Sequence, residues 1–190
     1  LALLVLVLVF VFVFVMVAVR HAGGNKVDAQ RRVLFLGQRC SGKTSLITRA
    51  VDNTFTEAYT PTIESHIRLW QRSGDRVIEI NVIDSGGLEF FEENMAIPPH
   101  FCVGIDVYVL VYNVGSRNSF LAAQQLFSRL AEATGMSVSS MTANTAVILV
   151  GMKADLQGSD REVSYAHGDA QAQKWGCTFL ECSAKEDVRV

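Results

Sequence analysis

Eight residues, Gly37-Gln38-Arg39-Cys40-Ser41-Gly42-Lys43-Thr44, constrain this chain more than any other stretch. They follow the apolar run Val33-Leu34-Phe35-Leu36 and lead into a helix-like segment, Ser45-Leu46-Ile47-Thr48-Arg49-Ala50. The pattern is G-x-x-x-x-G-K-[ST] in a context of strand, loop and helix. Glycines let the backbone N–H groups turn inward around a diphosphate. The lysine brings a point charge to the β- and γ-phosphates, the threonine hydroxyl can hold Mg²⁺, and the helix N-terminus favours the anion. A chance glycine turn ahead of a helix would need neither the lysine nor the hydroxyl. The context argues for a nucleotide-binding loop.

At 190 residues the chain has the length of one domain with a substantial core. Its net charge of -2 and the lack of a basic patch give no reason to expect a nucleic-acid partner. The four cysteines, Cys40, Cys102, Cys177 and Cys182, form no metal-ligand or C-x-x-C spacing. They read as reduced thiols of a cytosolic domain, and only Cys40 lies in a functional loop.

Leu1 to Val19 holds no charged or polar side chain. As a helix it would extend about 28 Å, close to the roughly 30 Å hydrocarbon core of a bilayer. Arg20, His21, Lys26, Arg31 and Arg32 follow, so the positive-inside tendency would leave the rest of the chain on the cytoplasmic face of a membrane. A cleaved signal peptide is less attractive, because export would part the phosphate loop from its nucleotide. Translation of repeat DNA stays open beside the transmembrane helix: valine alternates through the tract, and the codons of Leu, Val, Phe and Met share a central T. The start at Leu rather than Met points to a fragment or an uncertain gene model. Residues 20–30, with Gly23-Gly24-Asn25 among them, read as a linker, and the folded domain is expected from Arg31.

Beyond the first helix, Asn53 to Glu64 is polar and contains Pro61, which marks a loop. Ser65–Gln71 and Arg76–Ile83 alternate around Ser73-Gly74-Asp75 and predict a hairpin. The second run ends in Asp84-Ser85-Gly86-Gly87, and an aspartate at the end of an apolar strand is where a P-loop enzyme holds Mg²⁺. Val107 to Tyr112 and Ala146 to Val150 are continuous apolar runs of the kind found in buried parallel strands. The second leads into Gly151-Met152-Lys153-Ala154-Asp155. Ser119–Ala131 has helical spacing, with Phe120, Leu126, Phe127 and Leu130 on one face, and Tyr165–Trp175 reads as another helix. Thr178–Glu181 is a last strand before Cys182-Ser183-Ala184-Lys185. Strands alternating with helices predict a doubly wound α/β sheet with its ligand at the strands' carboxyl ends.

From Arg31 to Lys185 these loops resemble, in order and at near-family spacing, the five motifs of Ras-superfamily small GTPases. Thr62-Ile63-Glu64 is similar to the Ras family proper rather than to Rab, Rho or Arf proteins. Arg39, together with a segment running from Val163-Ser164-Tyr165 through Gly168, Ala170, Ala172, Trp175, Phe179 and Glu181 to Ser183-Ala184-Lys185-Glu186, resembles the Rheb branch. The resemblance implies a P-loop NTPase small G domain of α/β class: a mostly parallel six-stranded sheet with helices on both faces. It also implies GTP/GDP and Mg²⁺ as ligands.

Residue by residue, the resemblance gives nucleotide contacts to Gly37, Gln38, Arg39, Cys40, Ser41, Gly42, Lys43, Thr44 and Ser45. Thr44 and Thr62 would ligate Mg²⁺, with Asp84 holding it through water. Lys43, Thr62 and Gly87 would act on the γ-phosphate, and Leu88 stands where a catalytic glutamine is usual. Phe55, Tyr59 and Pro61 would line the nucleotide from the first switch loop. Lys153 would lie over the base, Asp155 would read its N1 and N2 hydrogens, and Ser183, Ala184 and Lys185 would meet its carbonyl side. A carboxylate accepting two donors selects guanine over adenine.

The chain departs from the family pattern in several places. The family's Asp-x-Ala-Gly-Gln is here Asp84-Ser85-Gly86-Gly87-Leu88. Leucine cannot orient water, so slow intrinsic hydrolysis is expected. Arg39 adds bulk beside the γ-phosphate, where it would obstruct an arginine finger. Met152 replaces the asparagine of Asn-Lys-x-Asp and removes hydrogen bonds worth about 0.5–1.5 kcal/mol each, which predicts faster nucleotide exchange. Ile97-Pro98-Pro99-His100 excludes a regular helix in the second switch, and Gly135 to Asn144 reads as a long Ser/Thr-rich loop. Phe90 and Phe91 serve either an effector surface or local packing, and His100 reads as a solvated loop residue. Only five residues follow Lys185, so the family's last helix and any prenylated cysteine are expected to be missing, leaving the G domain of residues 31–190 incomplete.

The leading expectation is a monomeric, membrane-associated GTP-binding switch. It would present its two switch loops to an effector, and the Rheb resemblance suggests a TOR-kinase pathway, an exchange factor and a GAP as partners. A pseudo-GTPase scaffold that binds GTP without cycling is the alternative from another class, favoured by Leu88 and Met152. A membrane-anchored signal recognition particle receptor β-like GTPase is suggested by the apolar tract, but Pro61-Thr62-Ile63-Glu64 speaks against it.

Overall fold

The computed structural model describes residues 29–73, 76–87 and 97–190. Strand β1 (Ala29–Leu36) is followed by helix α1 (Lys43–Asp52) and the hairpin of β2 (Glu64–Ser73) and β3 (Arg76–Ser85). Then come β4 (Val107–Asn113), α2 (Arg117–Ala133), α3 (Val138–Asn144), β5 (Ala146–Met152), α4 (Tyr165–Trp175) and β6 (Thr178–Cys182). Ala29 and Gln30, read from the sequence as the end of the linker, belong to β1 and so to the sheet. Residues 1–19, with their expected membrane span, lie outside the described residues. Among the described residues no helix is long and apolar enough to cross a membrane.

The six strands form one sheet in the order β2-β3-β1-β4-β5-β6. Only β2 runs antiparallel, its Ile67 opposite Val82 of β3; the other neighbours are parallel. The central strands β4 and β5 are apolar on both faces because both faces are covered. In β4 every residue from Val107 to Tyr112 is buried. Successive side chains point to opposite faces, so β1 sends Leu34 and Leu36 into a core with Leu126, Phe127 and Leu130 of α2, Met141 of α3 and Trp175 of α4. Its Val33 joins the other core, where Leu46 and Ile47 of α1 meet Val109, Val150 and Cys182. Helices therefore cover both faces, as the resemblance implied.

Helix limits follow local chemistry. Ser116, Ser137 and Ser164 cap α2, α3 and α4, each hydroxyl accepting from the backbone N–H three residues on. Gly176 ends α4 at φ 71, a left-handed turn that glycine adopts without strain. The Ser/Thr-rich stretch expected to be a loop thus contains α3, anchored by the buried Met141. Its serines read as loop residues in sequence, whereas one of them is the cap. Around Pro98 and Pro99 the chain makes only a 3₁₀ turn, Pro99–Phe101, consistent with prolines that exclude a regular helix.

Among the described residues β6 is the last element. Residues 183–190 turn back: Ser183 and Val188 exchange backbone hydrogen bonds of 3.0 and 2.9 Å, and the Cys182 thiol donates to the Arg189 carbonyl at 2.9 Å. Val190 is buried against the α1-side core. The return thus adds apolar cover on the α1 side of the sheet.

Candidate nucleotide-binding site

At the carboxyl ends of β1, β3, β5 and β6 the connecting loops enclose a cavity of about 430 Å³. The phosphate loop spans the six residues between β1 and α1. Cys40 (φ 58) and Gly42 (φ 100) take left-handed conformations that curl it. A side chain at Gly37 would collide with the Val111 carbonyl, so the loop can sit on β4 only with glycine there. Lys43 is buried, and its ammonium donates to the carbonyls of Gly37 and Gln38 at 3.0 and 3.1 Å. Burial pulls its pKa down to about 8, against the opposing charge of Asp84.

Thr44, on the first turn of α1, donates its hydroxyl to Asp84 Oδ2 at 2.6 Å. The Thr62 hydroxyl, from the loop before β2, lies 3.0 Å from that of Thr44. Three elements remote in sequence thereby bring two hydroxyls and a carboxylate together. Asp84 Oδ1 is buried without a hydrogen-bond partner. Burial raises the Asp84 carboxyl above its ordinary range, against the Thr44 hydrogen bond and the Lys43 charge. An orphaned carboxylate oxygen amid hard oxygen donors suits a small divalent cation such as Mg²⁺. Gly86 packs on the carbonyls of Thr62 and Ile63, and Gly87 on the backbone of Arg39, each too closely for a Cβ. Such contact seats Gly86 and Gly87 between the first switch loop and the phosphate loop. Leu88, Phe90 and Phe91 lie outside the described residues.

The base side is built by the loops after β5 and β6. Lys153 (φ 63) turns the chain so that Asp155 follows, and Asp155 Oδ1 accepts from the Ser183 hydroxyl at 2.5 Å. The Ala154 N–H donates to the Cys182 carbonyl at 3.0 Å, and the Arg49 Nε of α1 donates to the Ala184 carbonyl at 2.8 Å. Met152 is the last residue of β5, not part of the loop as read from sequence. It is 1% exposed, and its side chain fills the space over Gly42.

Of the residues expected at the nucleotide, Arg39, Cys40, Gly42, Lys43, Thr44, Ser45, Phe55, Tyr59, Thr62, Gly87, Met152, Lys153, Asp155, Ala184 and Lys185 line the cavity. Gly37, Gln38, Ser41, Pro61, Asp84 and Ser183 do not line it. All three of Ser41, Asp84 and Ser183 are buried, and Asp84 and Ser183 are hydrogen-bonded to Thr44 and Asp155 of the lining. Thr48, Thr54, Thr56, Glu57, Ala58, Thr60 and Ser85 also line it and were not foreseen. His100 is exposed, as read from the sequence, and its Nε2 lies 3.2 Å from Glu64 Oε2, while His66 Nε2 lies 2.8 Å from Oε1. Partial burial would raise the Glu64 carboxyl, but these two histidines hold it below its ordinary value.

A phosphate loop at the end of β1, a metal-suited cluster at the end of β3 and a base loop after β5 define a small G domain of the P-loop NTPases. The description of the Ras family matches residues 32–190, and the chain belongs to that family. It is 35% identical over 157 residues to the GTPase RhebL1 of Mus musculus and 32% identical over the same length to the GTP-binding protein Rheb of Homo sapiens, in each case covering 83% of this chain and 80% of the relative. A Rheb homolog from Drosophila melanogaster is 31% identical over 161 residues, covering 85% of this chain and 83% of its own. Members of this family are GTP hydrolases that bind GTP and GDP, generally with Mg²⁺.

Proposed function

We propose that this domain is a Rheb-like guanine-nucleotide switch whose own hydrolysis of GTP is slow. The observation that carries the switch is the convergence of Thr62 on Thr44 and Asp84, with hydroxyls 3.0 Å apart. A loop residue that shares a cluster with the phosphate-loop threonine moves with whatever that cluster holds, so the position of residues 53–63 reports the ligand. Mg²⁺, when bound, would neutralise charge on the β- and γ-phosphates. Thr44 and Thr62 would hold it directly and Asp84 through water. Lys43, already buried, would exchange its two carbonyl partners for phosphate oxygens. Asp155, oriented by Ser183, would accept from the guanine N1 and N2 hydrogens.

Slow turnover rests on Leu88, which offers no hydrogen bond to an attacking water. The test is single-turnover GTP hydrolysis by the full chain and by Leu88→Gln. The variant should be at least about ten-fold faster, because a water-orienting group is restored. Equal rates would remove leucine as the cause, and a wild-type rate in the ordinary Ras-like range would sink the slow-switch reading.

Met152 favours a second reading, a scaffold that holds GTP without cycling, since the usual polar tie between base loop and phosphate loop is replaced by an apolar contact. In either reading the surface offered to an effector is the first switch loop and the segment after β3. An exchange factor, a GAP and a TOR-kinase pathway are the partners that the Rheb likeness suggests. The apolar tract Leu1–Val19, followed by basic residues, supports action at the cytoplasmic face of a membrane.

A further inference from the structure

The first switch loop and the loop after β6 meet twice at the base end of the cavity. Near its floor, Arg49 in the last turn of α1 donates through Nε to the Ala184 carbonyl at 2.8 Å and through Nη1 to the Asn53 carbonyl at 3.1 Å. One guanidinium thus pins the roots of both loops, and its planar fork suits two acceptors at once. At the rim, Lys185 Nζ lies 3.1 Å from Glu57 Oε1. Both side chains line the cavity, and between rim and floor Phe55 packs against the α1-side core. The residues from Asn53 to Glu57 therefore form a strap across the cavity, tied by Arg49 at one end and by Glu57 at the other.

We propose that Glu57 is a positioning residue for nucleotide retention, acting through Lys185 to close this strap over the nucleoside. The proposal rests on the reading of the cavity as a guanine-nucleotide site. A nucleoside leaves such a site only when the strap parts from the loop after β6, and the ion pair must break for that to happen. Its geometry separates it from an incidental surface pair: the partners come from opposite walls of one cavity, and each wall is already anchored by Arg49. Both partners are largely exposed, with side-chain exposures of 77% for Glu57 and 53% for Lys185, so the effect is modest and sensitive to salt.

The experiment loads the full chain with N-methylanthraniloyl-GDP and follows its release on dilution into excess GDP. Wild type, Glu57→Gln, Glu57→Lys and the charge swap Glu57→Lys/Lys185→Glu are compared at low salt and at about 1 M salt, where the screening length is about 3 Å. Glu57→Gln should release GDP about two- to five-fold faster at low salt, the scale of an exposed ion pair. The gap should close at high salt, and the swap should be slower than Glu57→Lys alone. A merely structural role would respond neither to salt nor to the swap. Equal rates for wild type and Glu57→Gln at low salt, or a swap no slower than Glu57→Lys, would overturn the proposal. A wild-type chain that retains no labelled GDP would show itself before any variant is compared, and would remove the nucleotide reading and the strap together.

Discussion

Met152 packs its side chain over Gly42 at the end of β5, so the base loop leans on the phosphate loop through apolar contact. Dispersion holds the two loops at their spacing but gives no directional tie, and each missing hydrogen bond forgoes about 0.5–1.5 kcal/mol. Met152→Asn should therefore slow GDP release by about two- to ten-fold, as measured by the chase of a fluorescent GDP. An unchanged release rate would show that Met152 does not set exchange. At this scale the sequence was most informative where a motif fixes both residue type and spacing. Lys43, Thr44, Asp84 and Asp155 could be singled out because a phosphate, a metal and a base would each demand one chemistry at one offset, and the fold gathers them around one cavity. Glu57 and Arg49 could not be, because their partners lie far along the chain and only the fold brings them together.

Among the elements, α4 shows what a residue without a side chain does for packing. Gly168 sits inside the helix, and a Cβ there would collide with the ring of Phe179 on β6 and the Tyr112 hydroxyl on β4. Alanine in an exposed helix interior is worth about 1 kcal/mol over glycine. Here the overpacking cost of about 1–3 kcal/mol dominates. Gly168→Ala should lower the midpoint of thermal unfolding by several degrees, about 2–4 °C per kcal/mol for a domain of this size. A raised midpoint would mean that α4 can shift away from the sheet at no cost. The strands were readable because parallel strands buried on both faces appear as unbroken apolar runs. Their ends were less so: β5 continues to Met152, and β1 begins at Ala29. Helix α3 was missed because Ser and Thr suggest loops by composition, whereas Ser137 is a cap and Met141 a core anchor.

For the molecule as a whole, a mostly parallel six-stranded sheet covered on both faces was legible through the family resemblance, whereas the order β2-β3-β1-β4-β5-β6 is seen only in the fold. The return of residues 183–190 over the sheet was not, since Val188 and Val190 in a short polar tail carry no periodic signal. The four thiols are also arranged by the whole fold. Burial pushes Cys177 up to about 11 and Cys182 up to about 12, and it also raises Cys102. Cys40 alone among the four is exposed, on the curled phosphate loop at the wall of the cavity. The protein thus carries its own chemical footprint of occupancy. At neutral pH iodoacetamide should alkylate Cys40 ahead of the other three, and bound GDP should slow that reaction several-fold by covering the loop. Mass spectrometry of the modified peptides reads both effects. Labelling of Cys40 at the same rate with and without GDP would mean that the thiol faces away from the ligand. If GDP protects it, one cysteine lets the loaded fraction be counted on unmodified protein, with no reporter attached to the nucleotide.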